Sequence, residues 1–149
     1  MKPSLFLLAL LAAPAVAQAQ SPVSATGAWI RETAPGQTAA AGYVTLLNRG
    51  TPDRLLGGRS DRGKVQIHSM TIDGGIMRMR ALPQGLPLPT GKSVALKSGG
   101  MHLMLTNLSG RLRAGQRVPI ELQFARAGKL RVLFEVRPAT AAADAHAHH

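Results

Sequence analysis

The chain contains no cysteine. That excludes thiol–disulfide exchange, and any metal ion held here is held without thiolate. Aromatic residues are scarce: one Trp, one Tyr and three Phe. With arginines scattered along the chain and no helix-turn-helix or zinc-finger spacing, this argues against a nucleic-acid-binding protein. Acidic residues number only seven and are dispersed rather than paired, and no Ser-His-Asp set is visible from spacing, so no enzyme is read here. Long apolar runs are absent after the first residues, and nothing approaches the roughly twenty apolar residues of a membrane span, so no stable membrane insertion is expected.

The N-terminus has the layout of a secretory signal peptide. Lys2 supplies the positive start, residues 5–11 are apolar, and Ala17-Gln18-Ala19 is a small-residue cleavage site. The alternative, a transmembrane anchor, is disfavoured because the apolar run is short. The expected organisation is a signal peptide at 1–19, one domain over 20–138 and a flexible tail at 139–149. About 130 residues remain after cleavage, enough for a single domain to bury a core without disulfides. Without Lys2, seventeen Lys and Arg face seven Asp and Glu, a net charge of +10. Such a charge can steer association with acidic partners or membrane surfaces, and it equally fits a basic surface of general composition.

The strand signals are short and frequent. Residues 64–68 and 76–80 alternate polar and apolar, the period of a half-buried strand. Residues 28–31, 42–48, 54–57, 93–96 and 101–105 read as further strands, and 118–124 with 129–136 as a closing hairpin. Residues 21–27 read as a flexible lead-in and 84–91, rich in Pro and Gly, as a loop. Trp29 and Tyr43 read as core or near-core residues. Eight or nine strands, turn residues every eight to twelve positions and no amphipathic helix predict an all-β sandwich or barrel in a single domain.

Soft donors are concentrated in one stretch. Apart from Met1, every methionine lies between His68 and Met104: Met70, Met77, Met79, Met101 and Met104. Apart from the tail, so does every histidine, His68 and His102. Thioether and imidazole together suit Cu(I) better than a hard cation. On a strand, residues two apart share a face about 6.5–7 Å apart, so His102 and Met104 point together while Leu103 and Leu105 anchor the other side. Taken alone, that pair also fits a packing thioether and a surface imidazole. His68 lies opposite the face of Val65 and Ile67. Ten residues separate it from Met79, enough for a hairpin that returns Met77 and Met79 beside it.

These residues carry a resemblance. Ile67-His68-Ser69-Met70, Gly75-Ile76-Met77-Arg78-Met79-Arg80, Leu88-Pro89-Thr90-Gly91 and Gly99-Gly100-Met101-His102-Leu103-Met104-Leu105 resemble the periplasmic copper chaperones of the PCu(A)C type (DUF461-like). So do Ala28-Trp29-Ile30-Arg31, Thr33-Ala34-Pro35-Gly36, Asn48 and Asp53-Arg54-Leu55. The interval of twenty-two residues between Met79 and His102 fits that family. The resemblance implies a cupredoxin-like Greek-key sandwich or barrel holding one Cu(I) at an exposed edge. His68, Met79, His102 and Met104 would be its ligands. Met70 would be an alternative ligand, and Met77 a neighbour more suited to packing. It also implies a periplasmic monomer that delivers Cu(I) to a haem–copper oxidase, at cytochrome c oxidase subunit II or beside a Sco-type copper protein. The absence of Cys excludes the blue-copper electron carriers of similar fold.

The tail offers a second candidate site for copper, as Cu(II), at His146, His148 and His149. An inert end is the alternative. Against delivery stand copper sequestration for tolerance with no dedicated acceptor, a copper enzyme, which would need harder nitrogen ligands, and a plain structural β-domain.

Overall fold

The computed structural model describes residues 20–140. The expected signal peptide lies outside the described residues, as do His146, His148 and His149. Among the described residues there are ten strands and no helix: β1 (Val23–Arg31), β2 (Ala40–Asn48), β3 (Asp53–Ser60), β4 (Gly63–Asp73), β5 (Ile76–Ala81), β6 (Leu86–Leu88), β7 (Ser93–Leu96), β8 (His102–Thr106), β9 (Arg117–Phe124) and β10 (Gly128–Arg137). Among the described residues, then, no helix is long and apolar enough to cross a membrane.

Seven strands close a barrel in the order β4-β8-β2-β1-β10-β9-β3, with β3 pairing back to β4. The remaining three are appended: β5 on β4, β6 on β3 and β7 on β2. β1 and β10 run parallel and bring the two ends of the domain into one ring. This is the all-β cupredoxin-like barrel the sequence implied.

Alternation builds the core. Val118, Ile120, Leu122 and Phe124 of β9 turn inward, as do Val65 and Ile67 of β4 and Leu103 and Leu105 of β8. Burying each such side chain contributes about 1.5–3 kcal/mol, so the barrel closes without a disulfide. Two buried polar residues hold the connections. Asn48 Nδ2 donates to the Thr51 and Leu88 carbonyls at 2.8 and 2.9 Å, and its Oδ1 accepts from Gly50 N. The Asp53 carboxylate accepts from the backbone N–H groups of Arg54, Arg126 and Ala127 at 2.7–2.8 Å, tying the start of β3 to the β9–β10 turn.

Three segments differ from their sequence reading. Residues 23–27 are not a flexible lead-in but the first half of β1. A bulge between Thr26 and Trp29, with Gly27 at φ +61°, inserts one residue and resets the parity, so Val23 and Ile30 both face the core. Residues 86–88 are not loop but β6, and Pro87 is tolerated because β6 is an edge strand. β5 alternates in sequence, yet all six of its residues are exposed. It pairs with β4 where β4 runs past the end of β8, so the two form a ribbon with both faces in water.

Candidate metal centre

Three adjacent strands, β5, β4 and β8, carry the candidate ligands. β8 starts at the turn made by Gly99 and Gly100, where Gly99 adopts φ +82° and Gly100 N donates to the Lys97 carbonyl. Its inward Leu103 and Leu105 are fully buried and fix the strand in the barrel wall. His102 and Met104 therefore project together from the outer side. β4 lies alongside with Val65 and Ile67 inward, so Gln66, His68 and Met70 share that outer side.

The register makes His68 the hub. It stands directly opposite His102 on β8 and opposite Ala81 on β5. Met104 is opposite Gln66, and Met79 is opposite Met70, each one diagonal step from His68. Directly opposed Cβ atoms lie about 4.5–5.5 Å apart and diagonal ones about 7–8 Å, within reach for long side chains. All four predicted ligands thus occupy one face of a three-stranded patch, as do Met70 and Met77.

The two imidazoles face each other across the β4–β8 pair. Their ring centroids are 6.0 Å apart with 49° between planes. His102 is 3% exposed, and its Nδ1–H donates to the Gly100 carbonyl at 3.1 Å, which leaves Nε2 with a lone pair. His68 is half-buried, with its Nε2 3.4 Å from Gln66 Oε1. Both remaining nitrogens, His68 Nδ1 and His102 Nε2, are buried without a hydrogen-bond partner. Leaving a buried polar atom unpaired costs about 1–3 kcal/mol, and two such atoms on facing residues are what a bridging ion would satisfy. Burial pushes the His68 imidazole below its ordinary pKa, and the adjacent His102 adds to the shift. The neutral, metal-competent form is the one this environment favours.

The thioethers are held less firmly. Met104 is half-buried in the barrel wall, and Met70 is half-buried on β4. Met79 is 47% exposed and Met77 64%, so Met77 is not the packing residue its sequence position suggested. Among the described residues no group of three or more His, Asp or Glu could hold an ion. Any ion on this face therefore draws on the thioethers to complete its shell. A cleft of about 730 Å³ between β3–β4 and β9–β10 shares only Gln66 with the face.

Two participants were not singled out in the sequence. Gln66 contacts His68 and faces Met104, and the Gly100 carbonyl orients His102. Gln66 was detectable as the residue two before His68, on the same face. The carbonyl had no signal beyond the Gly-Gly turn. Trp29 and Tyr43, on paired positions of β1 and β2, hold their ring centroids 4.6 Å apart at a 42° tilt, Tyr43 buried and Trp29 half-buried, which agrees with their near-core reading.

Comparisons with known proteins follow the same line. The LpqE-like lipoprotein family model matches residues 23–136. Lxx21020 of Leifsonia xyli subsp. xyli, a lipoprotein by name, is 32% identical over 114 residues, covering 72% of this chain and 69% of that protein. The copper-bound PCuAC domain from PmoF2 superposes with a TM-score of 0.68 at 25% identity, over 81% of this chain and 97% of that domain. The Cu(I) form of DR1885 from Deinococcus radiodurans gives 0.63 at 28% identity over 81% of each chain, and its apo form 0.60 at 27% over 93% and 95%.

Proposed function

The chain belongs to the LpqE-like family, the PCu(A)C group of copper-chaperone domains, and from that premise we propose that it is an exported copper chaperone that binds Cu(I) through His68, Met79, His102 and Met104. The supporting observation is the pair of unpartnered buried nitrogens, His68 Nδ1 and His102 Nε2, on directly opposed strand positions. Two neutral nitrogens and two thioethers make a soft, uncharged shell that favours Cu(I) over Cu(II). Copper is cargo here, so a shell half in the barrel wall and half on an exposed ribbon suits exchange: Met79 can leave first while the imidazoles hold.

The acceptor in this reading is the copper centre of a haem–copper oxidase, reached at cytochrome c oxidase subunit II directly or through a Sco-type thiol protein. Thiolates bind Cu(I) more tightly than thioethers, which gives transfer its direction. The basic surface suits an acidic acceptor. The protein works as a monomer in the periplasm after removal of residues 1–19, and His146, His148 and His149 form a separate Cu(II) site.

The test is Cu(I) binding against a competing Cu(I) chelator, for the mature chain, for His102→Ala/Met104→Ala and for a chain ending at Ala143. One tight equivalent that is lost in the double variant and kept on truncation is expected. Equal binding by the double variant would remove the central site from consideration. Deletion of the gene separates delivery from sequestration: delivery predicts an oxidase-assembly defect, sequestration copper sensitivity alone.

A further inference from the structure

Met70, Met77 and Met79 lie outboard of the imidazole pair on the same face of the β4–β5 ribbon. Met70 and Met79 are directly opposed, and Met77 is opposed to Ile72. Met77 is two residues from Met79 on β5 and one diagonal step from Met70. Their Cβ atoms therefore form a triangle with sides of about 4.5–8 Å. Each side chain is unbranched and can rotate its sulfur inward. Three flexible thioethers at such spacing can converge on one soft ion.

Exposure argues that these sulfurs do something other than pack. Met77 and Met79 are 64% and 47% exposed, on a ribbon that no other part of the described chain covers. The opposite face of the ribbon carries Arg78 and Arg80 against Thr71 and Ser69, so the sulfurs are confined to one side. No carboxylate shares that side, which makes it unattractive to hard cations.

We propose that Met70, Met77 and Met79 form a second, thioether-only station for a soft monovalent ion, Cu(I) or Ag(I), placed before the imidazoles. The proposal rests on the Cu(I) reading of the neighbouring face. Thioethers alone hold Cu(I) more weakly than a shell with two imidazole nitrogens, so the outer station is the lower-affinity one. Met79 belongs to both sets; once the inner shell has taken it, Met70 and Met77 remain as a two-thioether pair that holds a second ion. An ion entering at Met77 passes inward by exchanging one ligand at a time, Met77 and Met70 for His68 and then His102, with no change of oxidation state.

The test uses the full chain labelled with ¹³C at the methionine methyls and titrated with Ag(I), a redox-inert probe. Methyl signals report the thioethers alone, so Ag(I) taken up by the tail imidazoles, which is common to every variant, is not mistaken for the station. In His68→Ala/His102→Ala, the methyls of Met70, Met77 and Met79 are expected to shift together, while Met101 stays still. Half-saturation should require at least about tenfold more Ag(I) than in the parent. Adding Met77→Leu to that variant should weaken the response by a further tenfold or so. In the otherwise unaltered chain, Met77→Leu should leave the first equivalent within about twofold and abolish the second equivalent seen at the Met70 methyl. That arm decides the matter even if the double histidine variant does not fold. A Met77 methyl that never moves while Met79 and Met104 do would overturn the outer station and leave the central Cu(I) site standing. If no methyl responds in the parent, both readings fall.

Discussion

His68 and His102 are direct cross-strand partners on β4 and β8, and each keeps one buried ring nitrogen without a hydrogen-bond partner. Neither strand explains this alone. β4 brings a half-buried imidazole and β8 a fully buried one, from segments more than thirty residues apart in sequence. The first prediction follows. His102→Ala removes the nitrogen with the fixed tautomer and should lower Cu(I) affinity by at least about 100-fold, more than the loss of a supporting partner usually costs. Competition with a Cu(I) chelator measures it, and a change below fivefold would place the ion elsewhere.

Acid should affect the apo protein through His68. Its folded-state pKa is lowered from 6.5, by burial first and by His102 second. The folded state thus takes up the proton less readily than the unfolded chain. The stability associated with the neutral ring is complete above pH 6.5 and is lost as pH falls through the lower folded value. Cu(I) affinity should likewise fall with acid, because protons then compete for the His68 nitrogen. Denaturation and chelator competition between pH 5 and 8 report the two effects. Stability that falls with acid while affinity stays unchanged would place the ion away from His68.

Asp53 is predicted to matter for stability and not for the metal. Burial raises its pKa, but three backbone N–H donors and the Arg126 charge outweigh that and lower it below 3.8 overall. Its contribution is present above pH 3.8 and is lost as pH falls through the lower folded value. Asp53→Ala leaves the N–H groups of Arg54, Arg126 and Ala127 without their acceptor and should cost about 2–4 kcal/mol. Urea unfolding checks the cost, and Cu(I) affinity should stay within twofold of the parent.

The ribbon turn gives the converse case. Gly74 and Gly75 join paired Asp73 and Ile76 with φ of +57° and +79°, the geometry of a tight two-residue hairpin. A Cβ at either position meets nothing within 4 Å, so the penalty of Gly→Ala is purely conformational, about 1–2 kcal/mol. Because the ribbon stands outside the barrel, Gly75→Ala should barely move the melting temperature. It should loosen Met79 and reduce Cu(I) affinity several-fold. A large loss of thermal stability with unchanged affinity would show that the ribbon belongs to the cooperative core.

Much of this was legible in the chain. The alternation of residues 64–68 and of 101–105 located two of the three strands and placed His68, His102 and Met104 on their outer sides. The alternation of 76–80 located the third, though not its burial. Beyond the two hairpins, pairing was not legible: nothing in the local pattern says that β8 lies between β4 and β2, and only the closed ring sets His68 against His102. Alternation also misled at 76–80. A period of two means two different faces, and here the faces are thioether and guanidinium, both in water, rather than core and solvent. At 21–27 a bulge hid a strand by breaking its period, and at 86–88 a proline hid another because edge strands do not need its N–H.

The oxygen that orients His102 belongs to the backbone of residue 100. Every amino acid would supply it, and a Cβ there would meet only the Lys97 carbonyl at an ordinary 3.7 Å. The imidazole's aim is thus inherited through the path of the turn, which Gly99 and its φ of +82° secure, and not through the identity of a supporting side chain. Mutation can erode it only by redirecting the chain. Met79 has no such protection, since single substitutions along an uncovered edge strand reach it freely. Over evolutionary time the two halves of the site should drift at different speeds, the barrel half keeping its donors while the ribbon half trades ligands to suit each new recipient.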